Sequence, residues 1–452
     1  MEDVLRRAAE LGIEYLRGVA ARPVGARAGT AELVSALGGP LPLDGEDPVA
    51  ALERLAREAA PGLVASTGPR YFGFVVGAGL PAAVAADWLV SAWNQNAALN
   101  VLSPASAALE EIAGKWLLEL FGLPAQSSVG FVTGGQTANF TCLAAARNEV
   151  YRRAGWDVEQ KGLIGAPELR VLAGAEVHVS VFAALRMLGI GVERVELLAV
   201  DGQGRMRAGA LRAALQGASG PLIVCAQAGN VNTGAFDPLE EIISAAHEAG
   251  AWVHVDGAFG LWAAVSPSRR ALVRGLERAD SWATDGHKWL NVPYDSGIAM
   301  TAHPAAHRAA MSANAAYLAV SAEARNPFEW APEGSRRARG TPVYLALRTL
   351  GARGVTELVD RCCSLAQRMA TALQAGGAEI LNDVVLNQVL VRFGSDERTR
   401  AVVARVQQDG TCWLGGTRWQ GKDAMRISVS GHGTTDHDAD RSVRAILDAA
   451  RE

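Results

Sequence analysis

Lys288 stands in the run Trp282-Ala283-Thr284-Asp285-Gly286-His287-Lys288-Trp289-Leu290, flanked by His287 and Trp289 and just after a short apolar, strand-like stretch. An amine held away from water loses its proton more readily, because the charged form is the one that forfeits solvation. A neutral ε-amine attacks an aldehyde and holds it as a Schiff base. The same triplet also suits a lysine whose stem covers a core edge while its head reaches water. The aldehyde reading therefore needs the other parts of such a site elsewhere in the chain.

Four further features supply them. Val132-Thr133-Gly134-Gly135-Gln136-Thr137-Ala138-Asn139 reads as a strand end turning into a helix. Paired glycines let the backbone approach a ligand, and a helix N-terminus offers free N–H groups and the positive end of its dipole, which suits a phosphate. An ordinary strand–helix turn has the same look. His178 lies between a strand pattern and a helix pattern, where an imidazole could stack on a flat heterocycle or pass a proton; a satisfied structural histidine also fits. Asp256 ends the buried run Val253-His254-Val255-Asp256, with Gly257 and Ala258 leaving room for a ring to lie flat. A buried aspartate needs a cation or strong donors, and a protonated pyridine nitrogen is such a cation; a helix N-cap is the alternative. Tyr317 opens a loop. Aldehyde anchor, phosphate cradle, stacking histidine and ring-nitrogen acid are together the set that pyridoxal 5′-phosphate needs, and we assign Asp285 and His287 beside the lysine to the same site.

These residues have to be positioned by a larger frame. From about residue 68, short apolar runs alternate with helical patterns. The runs fall at 129–132, 170–172, 195–200, 222–225, 252–255, 281–284 and 297–300. Such alternation predicts βαβ units and a mostly parallel sheet covered by helices on both faces, an α/β fold. Before it, Val4, Ala8, Leu11, Tyr15 and Val19 share one helical face, and Asp47-Pro48 reads as an N-cap followed by proline at the first helical position. Helices without a sheet cannot close a core, so this segment is expected to pack on a partner. After a polar stretch, a long helical pattern from Pro342 to about Gln374 and two short apolar runs predict a small α+β domain. The expected division is 1–67 helical, 68–325 cofactor-binding α/β, and 326–452 small α+β.

Bulk composition narrows the partners. The chain has 452 residues, 49% of them hydrophobic, and a formal net charge of −4. That balance predicts no nucleic-acid and no membrane partner. Five cysteines without metal-ligand spacing, and no apolar leader in residues 1–21, predict a reduced, cytoplasmic setting and no metal site.

From about residue 45 to its end the chain resembles the group II pyridoxal-phosphate-dependent amino-acid decarboxylases, which include the aromatic-amino-acid, histidine and glutamate decarboxylases. Asp285-Gly286-His287-Lys288-Trp289 carries the resemblance most specifically. Residues 134–139 are similar to the family's Gly-Gly-Ser-Glu-Ala-Asn and residues 255–260 to its Val-Asp-Ala-Ala-Tyr-Gly. Ser103-Pro104 with Leu109-Glu110, Tyr71-Phe72 at its substrate-facing aromatic pair, and Arg336-Arg337 with Arg339 follow suit. The resemblance implies fold type I and a homodimer with sites at the subunit interface. It implies Lys288 as the Schiff-base residue, His178 as the stacking base, Asp256 as partner of the ring nitrogen, and Tyr317 as proton donor to Cα. The expected reaction is decarboxylation of an L-amino acid to an amine and CO2. Other chemistry on the same scaffold (an aldehyde synthase, an aldolase-type lyase, a transaminase) stays open, as does a non-catalytic relative. Tyr317 favours plain decarboxylation, since the related aldehyde synthases have phenylalanine there. Two departures stand out: Gln136 replaces a hydroxyl residue, and Gly229-Asn230-Val231-Asn232-Thr233 replaces a Gly-Thr-Thr, leaving Asn230 or Asn232 to supply the missing hydrogen bond. Trp88, Trp93, Tyr71 and Phe72 could line an apolar side-chain pocket or belong to the core, and Asn94, Gln95 and Asn96 could bind a polar side chain.

Overall fold

The computed structural model describes residues 1–312 and 325–452; Tyr317 lies outside the described residues. Among the described residues the large sheet has seven strands: β1 (Ser128–Val132), β2 (Arg170–Gly174), β3 (Val195–Leu198), β4 (Leu222–Gln227), β5 (Trp252–Asp256), β6 (Ser281–Asp285) and β7 (Gly297–Thr301). Their order is β1-β7-β6-β5-β4-β2-β3. β7 runs against both neighbours, and the other strands share one direction. The chain adopts the fold type I α/β arrangement.

Strand periodicity sorts the apolar residues into two cores, one on each face of the sheet. Leu172, Val224, Ala226, Val253, Val255 and Trp282 join one cluster. Val171, Ala173, Ile223, Cys225 and Trp252 join the other. Helix Gly135–Arg153 lies across the second face, its Ala138, Ala144, Ala145 and Ala146 small enough to bring it close. His254 and Asp256 alternate with Val253 and Val255, so they share the face of Trp252, under that helix.

A second sheet, order β10-β11-β9-β8, comprises β8 (Glu379–Ile380), β9 (Gln388–Arg392), β10 (Gly415–Trp419) and β11 (Lys422–Ser428). Helix Gly340–Ala375 leads to it and is broken at Gly351, whose φ of 62° only glycine adopts cheaply. Helix Asp396–Asp409, capped by Ser395, and strand β10 escaped the sequence reading, because the helix is mostly polar and the strand is glycine-rich and half exposed. The N-terminal helices Glu2–Gly18, Thr30–Leu37 and Pro48–Ala59 have no fully buried residue. Asp47 caps the third of them through the N–H groups of Val49 and Ala50. No helix among the described residues is long and apolar enough to cross a membrane.

Two stretches quoted for the family resemblance meet in space. Glu110 and Arg336 form a buried ion pair at 2.8 Å, while Arg337 reaches Asp87 and Arg339 reaches Asp295. This arginine run locks the start of the long helix to the large sheet's surroundings.

Candidate active site

The predicted residues leave the sheet at one rim, beyond the C-terminal ends of the co-directional strands, where ligand crevices form in such sheets. Gly134 and Gly135 follow β1, His178 follows β2, Asn230 and Asn232 follow β4, Asp256 and Ala258 close β5, and Asp285 to Lys288 close β6.

Lys288 Nζ lies 3.1 Å from Asp285 Oδ2, with the lysine side chain about one-fifth exposed and the aspartate buried. Asp285 Oδ1 is buried and has no hydrogen-bond partner, although His287 Nε2 stands 3.4 Å away. His287 accepts from the Ser296 N–H through Nδ1 and stacks on Tyr294 at 4.4 Å, and burial lowers its pKa. The Gly134-Gly135 turn rests directly on this group: a Cβ on Gly135 would stand 2.8 Å from Asp285 Oδ2, and one on Gly134 3.1 Å from His287. Neither position accommodates a larger residue without displacing the lysine's neighbours. Beyond the turn, the first N–H groups of helix Gly135–Arg153 point past its N-terminus, and Gln136 is exposed there.

Asp256 is buried and accepts two hydrogen bonds, from the Ala258 N–H at 3.1 Å and from Asn139 Nδ2 at 3.0 Å. Asn139 also donates to Ser180 Oγ at 3.0 Å, and Ser180 Oγ is 2.7 Å from His178 Nδ1. The Ser180 N–H points at the same ring nitrogen, so Nδ1 acts as an acceptor and the imidazole's proton sits on Nε2. Burial holds His178 below its usual pKa, against the pull of Asp256, so the ring is neutral at pH 7. Ala258 is partly exposed, its carbonyl bonded by the Asp285 N–H, which ties the end of β5 to the lysine segment.

The departures from the family pattern have local explanations. Asn230 Oδ1 is used by the N–H groups of Asn232 and Thr233, so Asn230 pins its own turn. Asn232 Oδ1 accepts from the Thr417 hydroxyl on β10, linking that turn to the second sheet. The substrate-pocket candidates fare differently. Phe72 is in the core, Trp88 and Trp93 are half exposed on helix Pro81–Trp93, and Tyr71 stacks on Trp413 at 5.1 Å. Asn94 ends that helix in a left-handed turn, Gln95 bonds the Trp93 carbonyl, and Asn96 accepts from Ala98 and Arg336. Gln95 thus satisfies one carbonyl at the end of that helix, and Asn96 ties the following loop to the Arg336 segment.

A family model, the pyridoxal-dependent decarboxylase conserved domain, matches residues 41–393. The chain belongs to this family. It is 26% identical to an aromatic-L-amino-acid decarboxylase of Bacillus atrophaeus over 96% of this chain and 92% of that one. It is 31% identical to an L-2,4-diaminobutyrate decarboxylase of Rhizobium meliloti over 82% and 75%. The solved structure of Oryza sativa TDC with PLP and tryptamine shares its fold, with a TM-score of 0.92 at 23% identity over 100% of this chain and 97% of that one.

The cofactor of this decarboxylase-family chain is pyridoxal 5′-phosphate, and the residues present fit it. The glycine turn and helix N-terminus offer N–H groups suited to a phosphate, the neutral His178 offers a flat face suited to a ring, and Asp256 has lone pairs left for a ring N–H. Sequence reasoning missed three contributors. Asn291, fully buried, ties the lysine turn to two other segments. Its side chain bonds the carbonyls of Trp289 and Ser430 and the N–H groups of Ala78 and His432. Arg426 on β11 is partly buried, bonds only the Val231 carbonyl, and has no acid partner among the described residues; burial lowers its pKa and its charge reaches His178. His254, discussed below, is the third. Strand alternation could have found it, since it lies two residues before Asp256.

Proposed function

We propose that the chain removes the α-carboxyl group of an L-amino acid, releasing the amine and CO2, as an amino-acid decarboxylase working as a homodimer. The observation that carries this reading is the convergence of Lys288, the Gly134-Gly135 turn, Asp256 and neutral His178 on one rim of the sheet. The bound cofactor supplies an electron sink for the pair left at Cα when a substituent departs.

The protein's own groups do the rest. Lys288 would hold the cofactor's aldehyde through its ε-amine. Asp256, which accepts from the Asn139 and Ala258 N–H groups, would pair with a protonated ring nitrogen. His178 would stack on the ring, and the small Ala258 would leave room for it. The N–H groups of helix Gly135–Arg153, with Gln136 at their edge, receive the phosphate; Asp285, His287 and Asn232 hold the surrounding turns. Arg426 would draw the carboxylate of the incoming amino acid and orient it for loss. Tyr317 returns a proton to Cα, which favours plain decarboxylation over oxidative aldehyde formation, a transaminase or an aldolase-type lyase.

The homodimer is supported by exposed apolar residues on two consecutive helices and the loop between them: Trp88, Leu89, Trp93, Val101, Leu102 and Ile112. Cofactor at the catalytic lysine and CO2 release from a panel of L-amino acids test the activity. Lys288→Ala is expected to abolish both CO2 release and the visible absorbance of the lysine-bound cofactor. Undiminished turnover in that variant refutes the mechanism, and ammonia with peroxide as products refutes the reaction.

A further inference from the structure

Asp256 and His178 are joined through a buried chain of side chains that the reaction does not itself use. Trp252 Nε1 lies 2.9 Å from Ser281 Oγ, Ser281 Oγ 3.0 Å from His254 Nδ1, and His254 Nε2 2.9 Å from Asn139 Oδ1. Asn139 Nδ2 then reaches both Asp256 and Ser180, and Ser180 reaches His178. Trp252, Ser281, His254 and Asn139 are all fully buried, so no water competes for these contacts. His254 and Ser281 are paired in register across β5 and β6, which explains why they meet.

The two ends of this chain each have only one possible role. An indole N–H donates and cannot accept; an ionised carboxylate accepts and cannot donate. At the tryptophan end, Ser281 Oγ accepts the indole N–H and keeps its own hydroxyl proton free to donate to His254 Nδ1, which matches a ring protonated on Nε2. From the aspartate end, Asn139 must present its NH2 to Asp256, so its carbonyl oxygen faces His254 and requires a donor there. The aspartate end thus sets His254 protonated on Nε2, and the tryptophan end is compatible with it. At the branch, the second Asn139 N–H occupies Ser180 Oγ, whose hydroxyl proton then points at His178 Nδ1.

We propose that Trp252, Ser281, His254 and Asn139 form one directed hydrogen-bond relay that sets the proton positions of both Asp256 and His178. His254 and Ser281 are positioning residues in this scheme; neither touches the cofactor. The inference rests on the proposed placement of Asp256 and His178 against the cofactor, but the relay itself is a property of the chain. The opposite tautomer carries the proton on Nδ1. In that form Asn139 would flip and turn its oxygen toward Asp256.

Histidine-selective 15N labelling of the full chain, with and without pyridoxal phosphate, distinguishes the two. Ring-nitrogen shifts are expected to show His254 and His178 both protonated on Nε2. Ser281→Ala leaves His254 Nδ1 without its donor and is expected to shift that nitrogen's resonance and to weaken cofactor binding on the order of 10-fold, the cost of one lost buried hydrogen bond. Trp252→Phe, which keeps a ring in place, perturbs the same bond from the tryptophan end. His254 protonated on Nδ1 in the native chain overturns the relay. So does a Ser281→Ala or Trp252→Phe protein whose two histidines and cofactor affinity match the native chain. The expected tautomers in a chain that binds no cofactor would uphold the relay and refute the enzyme reading instead.

Discussion

At the scale of single residues, burial decides which groups are neutral and which charges remain free. Among the described residues Arg426 is the clearest free charge near the proposed site, a guanidinium with one main-chain contact and no carboxylate partner. If it meets the substrate's carboxylate, Arg426→Gln raises KM by roughly 10- to 100-fold, the loss of a charge-assisted bond of about 1.5–3 kcal/mol. The cofactor's affinity should change far less, because the phosphate and Asp256 contacts are untouched. His254 shows the opposite effect, a neutral group that burial keeps neutral. Its pKa is pushed down to about 4 from 6.5. Its contribution to stability is therefore complete above pH 6.5 and is lost as the pH falls toward 4, where only the unfolded chain readily takes the proton. Denaturant midpoints measured across that window should fall by an amount equivalent to ~3 kcal/mol from this residue alone. His254→Gln, having no proton to gain, should flatten that part of the slope.

At the scale of elements, the lysine turn is held less by its own strand than by Asn291. This residue sits at φ 56°, outside the usual range for a side chain with a Cβ, and joins the turn to residues 77–80 and 430–432. Removing its amide leaves several buried main-chain groups unpaired, at about 1–3 kcal/mol each before relaxation. Asn291→Gly keeps the left-handed backbone and loses the ties. Asn291→Ala loses the ties and adds backbone strain of order 1 kcal/mol. Thermal melts should rank native above Asn291→Gly above Asn291→Ala, and both variants should release pyridoxal phosphate on gel filtration more readily than the native chain. A turn held by its own strand would give melts indistinguishable from native. The close seat of Gly77 against the Lys288 carbonyl points the same way, since a Cβ there would stand 1.9 Å from that oxygen.

At the scale of the whole molecule, the N-terminal helices have no fully buried residue and apolar side chains are exposed along 88–112, which supports the proposed homodimer. Apolar exposure on that scale marks interaction sites. Sedimentation should give a species of twice the 47.4 kDa chain mass, and Leu102→Asp should shift it toward monomer; a native chain that sediments as a monomer would remove the dimer. The α/β class, the glycine turn, and Lys288, His178 and Asp256 as a set were legible in the sequence, because each depends on local pattern: alternation, a strand–helix junction, or residue type beside a buried run. What the tertiary structure alone decided is which distant groups meet. Glu110 finds Arg336, Asn139 bridges Asp256 to Ser180, Thr417 reaches Asn232, and Trp252 begins a chain ending at His178. Those pairings follow from strand order and from the seating of one helix across the sheet, and neither is written in any single stretch of residues.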